Sequence, residues 1–115
     1  MENRSLLRAK IQLLFSLHFK GYLRDIRLFK AFLDVSLKDF IPNEIKDKVR
    51  IYDDAPVLFY LDKENPASLR TISAPHMISI MLQELFLNDN DDLLILGAKS
   101  GYIAVLAHKL APKGK

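Results

Sequence analysis

The sequence predicts an α/β fold, in which N-terminal helices precede a short strand, a glycine-containing turn and a further helix. Three observations support this prediction. Apolar residues recur at helical spacing near the N-terminus, as at Leu7, Ile11 and Leu14. Residues 93–96 then form a continuous apolar run that is too short for a helix and suits a strand covered on both faces. Glycines at both ends of residues 97–101 indicate a turn after that strand, where a ligand can approach the start of the next helix.

Three helical segments are predicted before residue 49. The first covers residues 5–20 and ends at Gly21, because glycine tolerates the left-handed conformation of a helix end. The second covers residues 25–33, and a single turn from Ser36 is closed by Pro42. Residues 43–48 could add one more turn. The residues predicted to face inward from the first two helices are Leu7, Ile11, Leu14, Phe15, His18, Ile26, Phe29, Phe32 and Leu33, and the apolar stripe of the first helix is widened by Leu6, Leu13 and Leu17.

Short strands and loops are predicted for residues 49–72. Residues 49–52 alternate as a short strand might, and residues 53–56 have the composition of a turn. Residues 57–61 favour β-structure and are predicted to pair with residues 69–72 across a polar loop.

The remaining residues, 73–115, are predicted to begin an α/β core. Ser73 is a natural N-cap and Pro75 a natural first-turn residue of a helix. An acidic turn over residues 88–92 follows, and the last helix covers residues 102–110, with a frayed end from Gly114. The residues predicted to face inward from the helix after Ser73 are Met77, Ile78, Met81, Leu82, Leu85 and Phe86. We treat the 115 residues as a single domain with a helical cap at 1–48.

Composition limits the class of protein. The chain has 115 residues, of which 50% are hydrophobic, so one small domain with a core is expected. The absence of cysteine excludes disulfides and cysteine-ligated zinc. Arg8, Lys10 and Gln12 interrupt the run where a secretory signal needs apolar residues, and no apolar stretch approaches the ~20 residues of a membrane span. We therefore expect a soluble, cytoplasmic protein without a membrane partner.

The net charge of +3 leaves two interpretations of the basic N-terminal half. One is a nucleic-acid surface. The other is a solvated helical face, which we favour because no run of Lys and Arg exceeds two and no regular basic-aromatic interleaving stands out. We expect no nucleic-acid partner, although an unrelated helical protein with weak nucleic-acid affinity remains a third hypothesis for function.

Two motifs carry a resemblance to a known family. Thr71-Ile72-Ser73-Ala74-Pro75-His76-Met77, followed by Gly97-Ala98-Lys99-Ser100-Gly101, resembles the N-terminal portion of the protein-L-isoaspartate (D-aspartate) O-methyltransferases. The resemblance implies a helical cap followed by the first strand and helix of a Rossmann-like methyltransferase fold, of which this chain carries an incomplete part. It also implies methyl transfer from S-adenosylmethionine to isoaspartyl carboxylates in damaged proteins, which is a protein-repair reaction.

The same resemblance implies roles for individual residues. Ser73 is the catalytic residue, whose hydroxyl can hold the substrate carboxylate beside a helix N-terminus. Because that carboxylate is already ionised, no strong general base is required. The implied substrate-binding residues are Ser73, Ala74, Pro75 and His76. The implied cofactor-binding residues are Arg70, Thr71, Ile72, Ser73, Gly97, Ala98, Lys99, Ser100 and Gly101.

Spacing alone leaves blander alternatives open at these positions. Ser73 could simply cap its helix, and His76 could be a packed histidine. The three histidines are isolated from one another in sequence, so no metal site is predicted.

Several positions depart from the family pattern. Ile95 stands where an acidic residue is usual, Lys99 replaces the middle glycine, and Ile78 replaces a second histidine. These departures leave an alternative function, in which the chain is a catalytically silent family remnant that binds a peptide or a protein partner. Two explanations of the incomplete sheet stay open: a second chain supplies the missing strands, or the chain is a truncated or degenerate relative. Calorimetry with S-adenosylmethionine separates the two functions.

Overall fold

A computed structural model of the chain describes residues 4–43, 45, 51–60, 64, 70–95 and 100–115. Two helices open this part of the chain, two strands follow, and two further helices close it, with a 3-10 turn between the second helix and the first strand. In chain order the elements are α1 (Arg4–Phe19), α2 (Ile26–Asp34), the 3-10 turn (Leu37–Phe40), β1 (Val57–Tyr60), β2 (Arg70–Ile72), α3 (Pro75–Glu84) and α4 (Tyr102–Leu110). No helix among these residues is long and apolar enough to cross a membrane.

The connection from α1 to α2 confirms the predicted glycine cap. Gly21 has φ 84°, and the amides of Tyr22 and Leu23 both donate to the Leu17 carbonyl oxygen, at 2.9 and 3.2 Å. Asp25 then caps α2, because its carboxylate accepts from the Arg27 amide at 2.8 Å.

The buried faces of α1 and α2 differ from the prediction. In α1, Leu14 is buried as expected, but Leu7, Phe15 and His18 are exposed. In α2, Ile26 is 82% exposed. The residues that α1 and α2 do bury are Lys10, Leu14, Leu17, Leu28, Ala31 and Phe32. The difference in α2 arises because this helix packs against α4 as well as α1. Contacts with a helix much later in the sequence therefore determine which face of α2 is buried.

The strand pairing is confirmed. β1 and β2 are antiparallel, with Val57 opposite Ile72 and Leu58 opposite Thr71, and the register shifts before Tyr60 pairs with Arg70. The strand predicted at residues 49–52 falls partly outside the described residues. Its described part, Ile51 and Tyr52, is not a strand, and Tyr52 has φ 63° instead.

The helix α3 begins later than predicted and buries a narrower face. Its N-cap is Ala74, not Ser73, and its first residue is Pro75. Ile78 and Leu82 are buried as predicted, together with Ser79. The other four residues predicted to face inward are exposed, namely Met77, Met81, Leu85 and Phe86. Met77 and Met81 lie on the exposed side of α3, whereas Leu85 and Phe86 follow its last residue, Glu84, and Phe86 has φ 50°, so the helical periodicity does not extend to them.

The predicted strand at residues 93–96 is described only up to Ile95, and that part forms no strand. Leu94 is 82% exposed, so the expected coverage on both faces is wrong for the described residues. The C-terminal residues are not frayed as predicted. The Lys115 carbonyl oxygen accepts from the Leu93 amide at 2.9 Å, and the Lys113 amide donates to the Asp89 carbonyl oxygen at 2.8 Å.

Candidate functional site

The predicted catalytic residue lies at the junction of β2 and α3. Ile72, the last residue of β2, is buried in the core, and Ala74 is buried as the N-cap of α3. Ser73 lies between these two anchors and is half-buried. Within the described part of the chain, its hydroxyl has no capping hydrogen bond to α3. The interpretation of Ser73 as a simple helix cap is therefore wrong.

Asp54 takes over the capping of α3. One carboxylate oxygen of Asp54 accepts from the His76 amide at 2.9 Å and lies 2.8 Å from His76 Nδ1. A carboxylate is an acceptor only, so Nδ1 is the donor in that contact. The Tyr22 ring lies 5.4 Å from the His76 ring, between centroids. His76 is thus fixed by a carboxylate and an aromatic ring, and its imidazole faces the N-terminal end of α3.

Ser73 and the start of α4 line the same interior space. A cavity of about 10 Å³ is lined by Ser73, Ile78, Tyr102, Tyr52 and Lys10, among other residues. A space of that size is at the lower limit for one water molecule, so it is no ligand pocket. It does establish that the β2–α3 junction and the first residue of α4 meet in the core.

The N-terminus of α4 has the geometry of a tight turn. Gly101 has φ 92°, a conformation that favours glycine, and is the N-cap of α4. Ser100 Oγ accepts from the Tyr102 amide at 3.4 Å. The Tyr102 ring packs on Phe40 with centroids 5.5 Å apart. Three predicted cofactor-binding residues, Gly97, Ala98 and Lys99, lie outside the described residues.

The remaining predicted site residues differ in what they can offer a ligand. Arg70 is exposed and Thr71 half-buried, so both side chains can reach a ligand. Ile72 is 3% exposed, which leaves only its backbone for such a contact. Pro75 is half-buried beside Ala74 at the start of α3. Ile95, the residue in the family's acidic position, lines a groove next to α4 and carries no hydrogen-bonding side chain.

Three residues near the site were missed from the sequence. Lys10 is 2% exposed, Tyr52 has a left-handed backbone, and Asp54 caps α3. Helical spacing of 10, 14 and 17 places Lys10 on the buried stripe of α1, so that signal was available. No local pattern distinguishes Asp54 from the neighbouring Asp53, since only the fold decides which carboxylate reaches α3.

An open cleft among the described residues lies away from these side chains. It has a volume of about 660 Å³ and lies between α2 and the end of α3, with Arg24, Arg27 and Gln83 in its lining and none of the predicted site residues. Partial burial raises the pKa of Asp25 beside this cleft. Hydrogen bonds and the charge of Arg27 lower that pKa by more than burial raises it, so the pKa lies below the ordinary value of 3.8. Among the described residues, no three His, Asp or Glu side chains are grouped to hold a metal ion.

Comparison with known proteins identifies consistent similarities. The model of the family described as protein-L-isoaspartate(D-aspartate) O-methyltransferase matches residues 8–115. A relative from Methanopyrus kandleri is 34% identical over 110 residues, which are 94% of this chain and 44% of the relative. One from Thermosipho melanesiensis is 35% identical over 96 residues, or 84% and 44%. Both are named protein-L-isoaspartate O-methyltransferase, and the chain spans less than half the length of each.

A solved structure supports the fold class independently. A protein-L-isoaspartate O-methyltransferase superposes with a TM-score of 0.71 at 24% identity, covering 91% of this chain and 32% of the other. At that identity the likeness concerns the fold, and it confirms the predicted α/β class as part of a methyltransferase fold.

Proposed function

Since the chain belongs to the protein-L-isoaspartate(D-aspartate) O-methyltransferase family, we propose that it takes part in methyl transfer from S-adenosylmethionine to isoaspartyl carboxylates of damaged proteins in the cytoplasm. Family membership excludes the hypothesis of an unrelated helical protein. The observation that carries the proposal is the position of Ser73. Its half-buried hydroxyl lies at the β2–α3 junction, with no capping bond to α3, and lines one cavity with the first residue of α4.

On the substrate side, Ser73 donates a hydrogen bond to one oxygen of the isoaspartyl carboxylate. That bond orients the second oxygen toward the methyl group, and positioning is most of what this reaction needs from the protein. Ala74, Pro75 and His76 flank the peptide that carries the carboxylate. No proton has to be removed, because the attacking oxygen belongs to a carboxylate that is ionised at neutral pH.

On the cofactor side, the described residues fit one end of the site. The left-handed Gly101 brings backbone close to a ligand, and the first amides of α4 point out of the helix. When bound, S-adenosylmethionine supplies an electrophilic methyl group on a positively charged sulfur. Arg70, Thr71, Ser73 and the backbone of Ile72 would form one wall, with Gly97, Ala98, Lys99, Ser100 and Gly101 opposite. Ile95 cannot accept a hydrogen bond from the cofactor's ammonium group, so we expect weaker binding than in relatives with an acidic residue there.

We also propose that further strands cover the segment at residues 93–95, whether they come from the same polypeptide or from a second chain. Leu94 is 82% exposed, which is unusual for the centre of an apolar run. The exposed residues Met77 and Met81 on α3 add apolar surface for the same partner.

The test is a mass-spectrometric methylation assay on an isoaspartyl peptide, with the matching aspartyl peptide as substrate control. The chain is assayed alone and together with a second polypeptide, which carries the part of a relative's sequence that this chain does not cover. We expect an S-adenosylmethionine-dependent methyl ester on the isoaspartyl peptide only. Ser73→Ala should lower kcat/KM about 10- to 100-fold, the size of one lost hydrogen bond to a charged group. Ser16→Ala, at an exposed position of α1, is the matched control.

Two results separate the alternatives. Absence of a methyl ester in both arms would refute the enzymatic proposal. If calorimetry also gives no heat with S-adenosylmethionine, while the peptide still binds, the catalytically silent module is the correct function.

A further inference from the structure

We propose that Lys10 is a positioning residue for Ser73, and that it acts through Tyr52 and Asp54. This inference rests on the proposed function, because the position of the Ser73 hydroxyl matters only if that hydroxyl holds a substrate. Lys10, Tyr52 and Ser73 line the same small cavity. The contacts below connect them in three steps.

The first step is the buried ammonium group. Lys10 lies on α1 and is 2% exposed. Its Nζ donates to the carbonyl oxygens of Leu33, at 3.2 Å, and Val35, at 2.9 Å. These carbonyls belong to the C-terminal end of α2, where the helix dipole favours a positive charge. A buried charge without such partners would be strongly unfavourable, so the ammonium holds α1 to the end of α2.

The second step is the Tyr52 ring and backbone. The Lys10 ammonium lies 5.2 Å from the centroid of the Tyr52 ring, within cation–π range. At the other end of the side chain, the Tyr52 hydroxyl oxygen accepts from the Leu37 amide at 3.1 Å. Tyr52 also has φ 63°, a left-handed conformation that is sterically unfavourable for a bulky residue. Contacts at both ends of the side chain therefore maintain a backbone conformation that would not persist without them.

The third step leads from Tyr52 to the start of α3. Asp54 follows Tyr52 by two residues, so the direction of the Tyr52 turn decides where its carboxylate lies. That carboxylate accepts from the His76 amide at 2.9 Å and contacts His76 Nδ1 at 2.8 Å. Ser73 is then fixed on one side by β2 and on the other by the α3 terminus that Asp54 holds.

The chemistry of lysine is essential to this arrangement. A methionine at residue 10 would fill nearly the same volume and keep the apolar packing of the side-chain stem. It would lose both carbonyl contacts and the charge over the Tyr52 ring. Lys10→Met therefore removes the positioning interactions and leaves most of the packing in place.

The test combines amide exchange with kinetics. In hydrogen-exchange NMR, Lys10→Met should raise the exchange rate of the His76 amide about tenfold or more, since its acceptor is displaced. In the methylation assay, it should lower kcat about tenfold with little change in KM, because a misplaced group slows the reaction more than it weakens binding. Lys30→Met, at an exposed position of α2, is the matched control and should change neither.

A double-variant cycle tests the route through Asp54. Asp54→Asn should raise His76 exchange by itself, and adding Lys10→Met to it should have little further effect. If the two effects multiply in full, Lys10 does not act through Asp54 and the proposal is wrong. It is also wrong if Lys10→Met behaves like Lys30→Met in the exchange experiment.

A further variant covers the case in which Lys10→Met does not fold. Tyr52→Phe keeps the ring under the ammonium and removes the hydroxyl that accepts from the Leu37 amide, so a folded protein with a severalfold faster His76 amide is expected. Unchanged exchange in Tyr52→Phe would then contradict the proposal. The exchange readout needs no activity, so a wild-type chain without methyl transfer refutes the proposed function and leaves the Lys10 network separately testable.

Discussion

At the scale of single residues, two glycines are required for different physical reasons. Gly21 has φ 84°, and a Cβ placed on it would meet nothing within 4 Å. Gly114 does not have a left-handed φ, but a Cβ on it would lie 1.6 Å from the Asp91 carbonyl oxygen. The first position therefore tests backbone strain alone, and the second tests a close approach between two backbone segments.

We predict that Gly114→Ala is the more destabilising of the two substitutions. The close contact forces the Asp91 backbone and the C-terminal residues apart, at a cost of about 1–3 kcal/mol typical of overpacking. Gly21→Ala should lower the free energy of unfolding by about 1 kcal/mol through the left-handed φ. Urea unfolding of both variants measures the difference, and equal losses would show that the Asp91 segment adjusts freely.

Asp25 predicts a pH dependence of stability. Partial burial raises its pKa, but the Arg27 hydrogen bonds and charge lower it more, so its pKa in the folded chain is below the ordinary value of 3.8. A lowered carboxylate pKa contributes stability that is present above the unfolded-state value and is lost as pH falls through the folded-state value. Asp25→Asn should therefore cost a few tenths to about 1 kcal/mol near neutral pH and progressively less below about pH 4.

The measurement is urea unfolding of wild type and Asp25→Asn across that pH range. Asparagine is also a good N-cap, so the cap itself is largely retained and the difference reports the charge. Asp39→Asn, at an exposed position, is the control. A difference that grows in acid would contradict the assignment.

The site residues differ in how far a sequence can predict them. Ser73 could be placed from its heptapeptide, because the motif fixes its neighbours. The absence of a capping role for Ser73 could not be predicted, since the carboxylate that caps α3 instead belongs to Asp54, 22 residues before the His76 amide that it accepts from. Lys10 illustrates the same limit, because the sequence around a lysine in an apolar stripe does not indicate which carbonyl oxygens will accept hydrogen bonds from its ammonium group.

At the scale of elements, the predictions succeeded where the determining interactions are local. The pairing of β1 with β2 and the bounds of α4 follow from strand-forming runs, glycine and proline. The inward faces of α2 and α3 were predicted less well, as Ile26 and Met81 show, because a helix with apolar residues on several sides is compatible with more than one buried stripe. Tertiary contacts from α4 made that choice for α2.

One side chain connects α3 to the α1–α2 connection and gives an element-scale prediction. Gln83 Oε1 accepts from the Arg24 and Asp25 amides at 2.7 and 2.8 Å, and Nε2 donates to the Tyr22 carbonyl oxygen at 2.6 Å. Gln83→Ala should lower the free energy of unfolding by about 1–3 kcal/mol, since several net hydrogen bonds are lost at a partly exposed position.

Hydrogen exchange at the Arg24 and Asp25 amides checks this prediction directly. Both amides should exchange faster in Gln83→Ala. The α4 amides should exchange as in wild type once the change in global stability is taken into account. Glu84→Ala, the next residue on the same helix, is exposed and serves as control. Unchanged protection at both amides would mean that water replaces the glutamine without loss.

At the scale of the whole molecule, apolar surface is distributed unevenly. The exposed side of α3 and the segment at residues 93–95 present large side chains to solvent, with Phe86 78% and Leu94 82% exposed. The sequence predicted that residues 93–96 would be covered on both faces, and that prediction depended on neighbouring strands which the described residues do not include. The fold class was nevertheless predictable, because the motif resemblance reaches across both halves of the chain.

Two adjacent leucines, one exposed and one half-buried, test this distribution of apolar surface. Leu94→Ser should change the free energy of unfolding of this chain by no more than about 0.5 kcal/mol, because the side chain is already in water. Leu93→Ser should cost at least about 1 kcal/mol, because Leu93 is half-buried and packs against the core. Urea unfolding measures both, and sedimentation velocity should show less self-association for Leu94→Ser. Equal destabilisation would mean that Leu94 is covered in solution.

The left-handed backbone of Tyr52 also bears on the order of events in folding. Such a conformation is unfavourable by roughly 1–2 kcal/mol, so an unfolded chain seldom visits it. The contacts that hold it come from residues 10 and 37, which lie 42 and 15 positions away. We expect the Tyr52 turn to close only after α1 and α2 have docked, so that the start of α3 reaches its final position late in folding and is among the first parts to lose it on heating.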